Sequence, residues 1–220
     1  MSIKPKSSDP PKSPLKRGTS GAYLRKTTVS KIDRVYQLSI INYQLLMIDA
    51  QIPTLDSLPW IPYLTEAGLL AENWQRKIGV YAVFDQAQQL HYIGYSRDLE
   101  ASLKQHLVRQ GDRCYWLKVH IIERPSRTLL EAIRLAWLEE AGLKALNESL
   151  WTDPIDAKLT MTDAEKISYQ NQDDLGKMKL LKTVARRLEE QIQSQLQERG
   201  VKLELRFNPK LKEQGLLDLK

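Results

Sequence analysis

Two short runs, KIGVYAVFD and LHYIGYS, constrain this chain more than any other feature. Both are rich in β-branched and aromatic residues and only the polar DQAQQ separates them, so residues 78–84 and 90–95 are expected to pair as a hairpin. Asp98 then stands where an N-cap belongs, ahead of a helix that carries Leu99, Leu103, His106 and Leu107 on one face and ends near Gly111. Cys114, Trp116 and residues 119–122 mark a third strand. Ser126, just after Pro125, caps a longer helix bearing Leu129, Leu130, Ile133, Ala136, Trp137 and Leu138, closed by Gly142. The order β-β-α-β-α predicts an α+β domain over residues 78–150, a small three-stranded antiparallel sheet with flanking helices.

The flanks read as attachments to that unit. Over residues 32–77, Ile32, Val35, Leu38, Ile41, Leu45 and Ile48 recur at spacings of three and four, which predicts an amphipathic helix. Pro53, Pro59 and Pro62 then end regular structure, leaving an extended segment packed by Trp60, Tyr63 and Leu64, with a brief helical turn around Glu66. Residues 151–220 open with a polar linker. A long amphipathic helix follows over 175–199, with Met178, Leu181, Val184, Leu188, Ile192 and Leu196 on its apolar side and Gly200 as its stop. Its length gives only about three heptads, which favours packing on its own domain over a dimeric coiled coil. The alternation in VKLELRF predicts an edge strand over 201–207.

Charge separates the chain more sharply than hydropathy does. The net charge is +6, yet residues 1–31 hold eight Lys and Arg against one Asp, so the remainder is close to neutral. The same stretch is rich in Pro, Gly and Ser and poor in large apolar residues, and is expected to be a disordered arm. Lys4, Lys6, Lys12, Lys16, Arg17, Arg25 and Lys26 are its candidate contacts to nucleic acid, through counterion release. A solubilising tail or a plastid transit peptide fits the composition equally well, and no secretory signal is expected at this end. The single Cys114 excludes an internal disulfide framework. No apolar run reaches the ~18 residues of a membrane-spanning helix, so no membrane span is expected.

Gly79-Val80-Tyr81 on the first strand and Tyr92-Ile93-Gly94 on the second, followed by Ser96-Arg97-Asp98-Leu99 and His106, resemble the GIY-YIG nuclease domain. The match covers about 70 residues and ends at Asn147. The wording GVYAVFD, HYIGYSRDL and the LKV after Cys114 looks most like the GIY-YIG domain that plants fuse to a monothiol glutaredoxin, though no glutaredoxin domain stands in this chain. That resemblance favours a photosynthetic source and a cytoplasmic or plastid address. It implies phosphodiester hydrolysis on one divalent ion, Mg²⁺ or Mn²⁺, with Tyr81, Tyr92, His106 and Asn147 at family positions.

Two positions depart from the family pattern. Ser102 stands where the family has an arginine, and Ala136 where it has a metal-binding glutamate. A hydroxyl does not carry a guanidinium's charge, and a methyl does not coordinate a hard cation. Arg97 could approach a phosphate from its loop, and Glu140, one turn beyond Ala136, is the carboxylate best placed to hold a relocated metal. For Glu139 and Glu140 the plain alternative is a solvated helix face, and for the tyrosines half-buried strand packing. The expectation is a nuclease fold with a degenerate centre, serving as a nucleic-acid-associated or protein-interaction module. The alternatives are an active metal-dependent endonuclease using Glu140, and a redox-sensitive adaptor using Cys114.

Overall fold

A computed structural model of the 220-residue chain describes residues 52–70, 74–143 and 148–220. The expected basic arm, the helix over 32–48 and Asn147 lie outside the described residues.

The sheet forms as its β-branched and aromatic content predicts. Strands β1 (Ile61–Pro62), β2 (Gly79–Phe84), β3 (Leu90–Ser96) and β4 (Trp116–Ile121) make one antiparallel sheet in the order β1-β4-β2-β3. It has four strands rather than three, because Ile61 and Pro62 of the extended segment pair with Leu117 and Trp116. Proline lacks the N–H a central strand needs, and Pro62 accordingly sits on the edge. The β2–β3 turn is held by the Asp85 carboxylate, which accepts from Gln89 N at 2.9 Å and pairs with His91 at 2.8 Å. Around Glu66 the chain makes a hydrogen-bonded turn, Gly68 N to Thr65 O, and not a helix.

Alternation along the strands gives the sheet two buried faces. Val80, Ala82, Phe84 and Ile93 pack against helix α2 (Arg127–Glu140) through Leu130, Ile133 and Trp137. Tyr81, Val83, Tyr92 and Leu117 face the other core, shared with helix α1 (Leu99–Arg109) and the C-terminal third of the chain. The caps read from sequence are in place: Asp98 accepts from Ala101 N and Ser126 from Leu129 N.

The segment after residue 148 is more structured than a linker. It holds a one-turn helix α3 (Ser149–Thr152), strand β5 (Ile155–Asp156), helix α4 (Asp163–Asn171) and helix α5 (Asp174–Glu198), then α6 (Pro209–Lys212) and β6 (Leu216–Leu217), which pairs with β5. A Thr162/Glu165 capping box opens α4, and that T-x-x-E pattern is the signal by which sequence alone could have found the helix. Residues 201–207 keep the expected alternation of burial but form no strand. Their backbone partners are scattered: Lys202 N bonds Gly68 O, Lys220 N bonds Arg206 O, and Phe207 bridges Leu219. Alternation encodes which side is buried, and a strand also needs a neighbour offering a continuous ladder.

Candidate functional site

The two signature tyrosines meet because the hairpin register puts them on one face. Tyr81 is opposite Gly94 and Tyr92 opposite Val83, so the rings lie diagonally, with centroids 6.1 Å apart. The glycines of both motifs have steric reasons to be glycine. A Cβ on Gly94 would stand 2.5 Å from the Tyr92 ring, which leans across the strand over that position. One on Gly79 would stand 2.3 Å from the His120 carbonyl of β4.

His106 comes up from α1 to complete the group. Its Nδ1 lies 3.1 Å from the Trp151 carbonyl and its Nε2 2.6 Å from the Tyr81 hydroxyl. A carbonyl only accepts, so Nδ1 carries the proton and Nε2 accepts from the tyrosine. Burial, helped by the nearby Arg109 charge, pushes the imidazole pKa down to about 3, which fixes it as neutral. The same burial raises the Tyr81 phenol well above its ordinary value and raises that of Tyr92. A phenol so shifted is a poor base for activating water at neutral pH.

Trp151 closes the group from above. Its ring stacks on Tyr92 at 5.2 Å and 15° and meets His106 edge-on at 5.4 Å. Its carbonyl also accepts from Arg109 Nη1 at 2.5 Å, while Arg109 Nη2 pairs with Asp218 at 2.8 Å. Tyr81, Tyr92, His106 and Trp151 are 2%, 7%, 3% and 2% exposed, so the four side chains pack on one another with little surface open to solvent. On the side of Tyr92, Arg134 donates to Ile93 O at 3.3 Å and pairs with Glu131 and Glu148.

Ser102 borders this group, and Arg97 and Glu140 lie elsewhere. Ser102 donates to Ser96 Oγ at 2.8 Å, and Ser96 in turn donates to the Asp98 carbonyl, while the Ser102 hydroxyl also meets the Tyr81 side chain and works against the burial that raises its phenol, so this position joins the helix-entry turn to the cluster. Arg97 is exposed and lines a cavity of about 680 Å³ with Tyr95, Ser126, Arg127 and Leu130, beside the α2 face and not with the tyrosines. Both Glu140 oxygens are engaged, by Leu55 N at 2.7 Å and Asp56 N at 2.9 Å. That turn is tied down further by Trp137 Nε1 to Pro53 O and by the buried Lys118 to Leu55 O. Glu140 is thus an anchor for residues 53–56. Half-buried Ala136 supplies no donor, and among the described residues no group of three or more His, Cys, Asp or Glu could hold a metal ion. The residues present do not fit the divalent ion that the resemblance implies.

Sequence reasoning missed Trp151, Arg109 and Arg134. Each acts through a contact 41 to 45 residues away, at Ile93 for Arg134 and between Trp151 and the pair His106 and Arg109, or, for Arg109 and Asp218, 109 residues away. Cys114 is fully buried, donates to Gln110 O at 3.2 Å, and burial pushes its thiol up to about 12. Native protein treated with iodoacetamide near pH 7.5 is expected to alkylate at least about tenfold more slowly than a free thiol. A rate equal to the unfolded chain's would show that the site opens freely.

In comparison with known proteins, no family profile matches the chain. One curated relative, the bifunctional monothiol glutaredoxin-S16, chloroplastic, of Arabidopsis thaliana, is 37% identical over 81 residues. The alignment covers 35% of this chain and 28% of the relative, so the chain matches under a third of that protein's length. The similarity is to a part of a chloroplast protein. Among the described residues no helix is long and apolar enough to cross a membrane.

Proposed function

We propose that this protein is a GIY-YIG-like module whose hydrolytic centre is silent, and that it associates with nucleic acid through its basic N-terminal stretch. The observation that carries the reading is the sealed cluster. Tyr81 and Tyr92, the residues that would handle the attacking water, are hydrogen-bonded or stacked under Trp151, and Ala136 and Ser102 replace the carboxylate and the guanidinium. Removing one electrostatic stabiliser typically costs ~10² to 10³ in rate, and losing the metal costs more. The proposed plastid address draws support from the chloroplastic relative.

Purified protein is expected to leave plasmid and single-stranded DNA uncut with Mg²⁺ or Mn²⁺. Wild type, Tyr92→Phe and Glu140→Ala assayed together decide the matter: metal-dependent nicking by wild type that disappears in either variant would establish a working centre. Nucleic-acid association has its own test. Deleting residues 1–31, which hold eight of the 33 Lys and Arg residues, is expected to lower affinity for DNA or RNA at least about tenfold at low salt and to flatten its salt dependence. A truncated protein that binds as tightly as the full chain would refute the arm's role.

A further inference from the structure

The cavity of about 680 Å³ between the end of β3 and the start of α2 lies on the face of the sheet opposite the tyrosine cluster. Ile78, Leu130 and the half-buried ring of Tyr95 give it apolar and aromatic surface, and Tyr95 shares the face of Val80 through the hairpin register. Arg97 enters from the loop after β3, and Arg127 is the first residue of α2.

The positive charge of this cavity has no counterpart in the protein. Arg97 and Arg127 are exposed, and among the described residues neither side chain makes a hydrogen bond or an ion pair and no carboxylate is on the lining. The acidic residues nearest in sequence do not supply one: Asp98 caps Ala101 N, Glu131 pairs with Arg134, and the exposed Glu123 is off the lining. Arg127 moreover sits at the positive end of the α2 dipole, and the first turn of that helix holds no acidic residue to offset it. Two guanidinium groups with their donors unused, beside an aromatic ring and an apolar surface, match the phosphate and the base of a nucleotide.

We infer that this cavity takes one nucleotide unit of a single-stranded nucleic acid, with its phosphate between Arg97 and Arg127 and its base against Tyr95. In a duplex the bases are stacked and paired and do not enter, so the cavity prefers a single strand. The inference rests on the nucleic-acid association proposed above and adds to the basic stretch a contact on the folded body.

The probe is a fluorescein-labelled oligothymidylate of about 12 nucleotides, whose binding to the full-length protein is followed by anisotropy at several salt concentrations. The double variant Arg97→Gln/Arg127→Gln is expected to bind it at least about tenfold more weakly at low salt and to flatten the slope of log affinity against log salt by about 0.7, the value for one phosphate contact on a single strand. The same variant should lose less than about threefold on a blunt duplex, and Arg186→Gln/Lys202→Gln, which removes equal charge from two exposed positions off this lining, less than about threefold on the single strand. All four side chains are exposed, so thermal unfolding should be unchanged in both variants. Failure of the full chain to bind either nucleic acid would remove the proposed association and this site with it. Binding that falls on deletion of residues 1–31 but not in Arg97→Gln/Arg127→Gln would leave the association standing and overturn the inference, as would equal losses in the two double variants or on duplex and single strand.

Discussion

Trp151→Ala is expected to lower stability by about 3–5 kcal/mol, the range for truncating a fully buried aromatic side chain. The indole is 2% exposed and fills the space over Tyr92 and His106, so its removal leaves a void bounded by rings that strand and helix hold in place. The loss extends to hydrogen bonds, because the Trp151 carbonyl serves both His106 and Arg109 and depends on the indole to seat α3. Chemical denaturation of wild type and variant at neutral pH measures the difference. A cost under about 1 kcal/mol would mean that the segment collapses into the void or that the ring contributes little. On the proposed reading Trp151→Ala also stays inert toward DNA, since opening the centre restores neither the carboxylate nor the guanidinium.

The second large effect concerns acid. An unfolded histidine titrates near 6.5, and His106 in the folded protein titrates at about 3. Between those values the unfolded chain binds a proton that the native state refuses, so stability falls as pH drops through this window and is fully present above it. The slope is about 1.4 kcal/mol per pH unit, and the whole window amounts to roughly 4 kcal/mol. Glu165, held down to about 2 by Arg187, adds loss in the same direction at lower pH, and partly buried His120 adds to it above. Comparison with His106→Gln cancels those contributions, because the amide can still accept from Tyr81 and does not titrate. The variant should be less stable than wild type at pH 7 and lose less between pH 6.5 and 4. Parallel pH profiles would show that His106 is protonated in the native state or reached by water.

The hairpin, both principal helices of the sheet unit and the long C-terminal helix were legible in the sequence because their signals are local. Alternation, a cap three residues from its N–H, and a glycine at positive φ past the helix end, as at Gly142 and Gly200, all act within a few residues. Tyr81, Tyr92 and His106 could be singled out together only through the resemblance, which puts all three at family positions; that they touch was shown by the hairpin register and the α1 face. Counting along the chain on the resembled family's pattern puts Ala136 and Ser102 where a glutamate and an arginine are expected.

Sequence could not say whether the cluster is open or closed. That depends on Trp151, a residue of what read as a linker, descending on a pair of tyrosines 59 and 70 positions earlier. Nor could it show that Glu140 is spent on two backbone amides of a preceding turn, or that Pro62 and Ile61 would extend the sheet. The alternating residues 201–207 make the same point in reverse. Local pattern fixes which atoms need burial or a partner, and the partner itself is chosen by long-range packing, where many segments carry equivalent donors and apolar surface and only the assembled core decides among them.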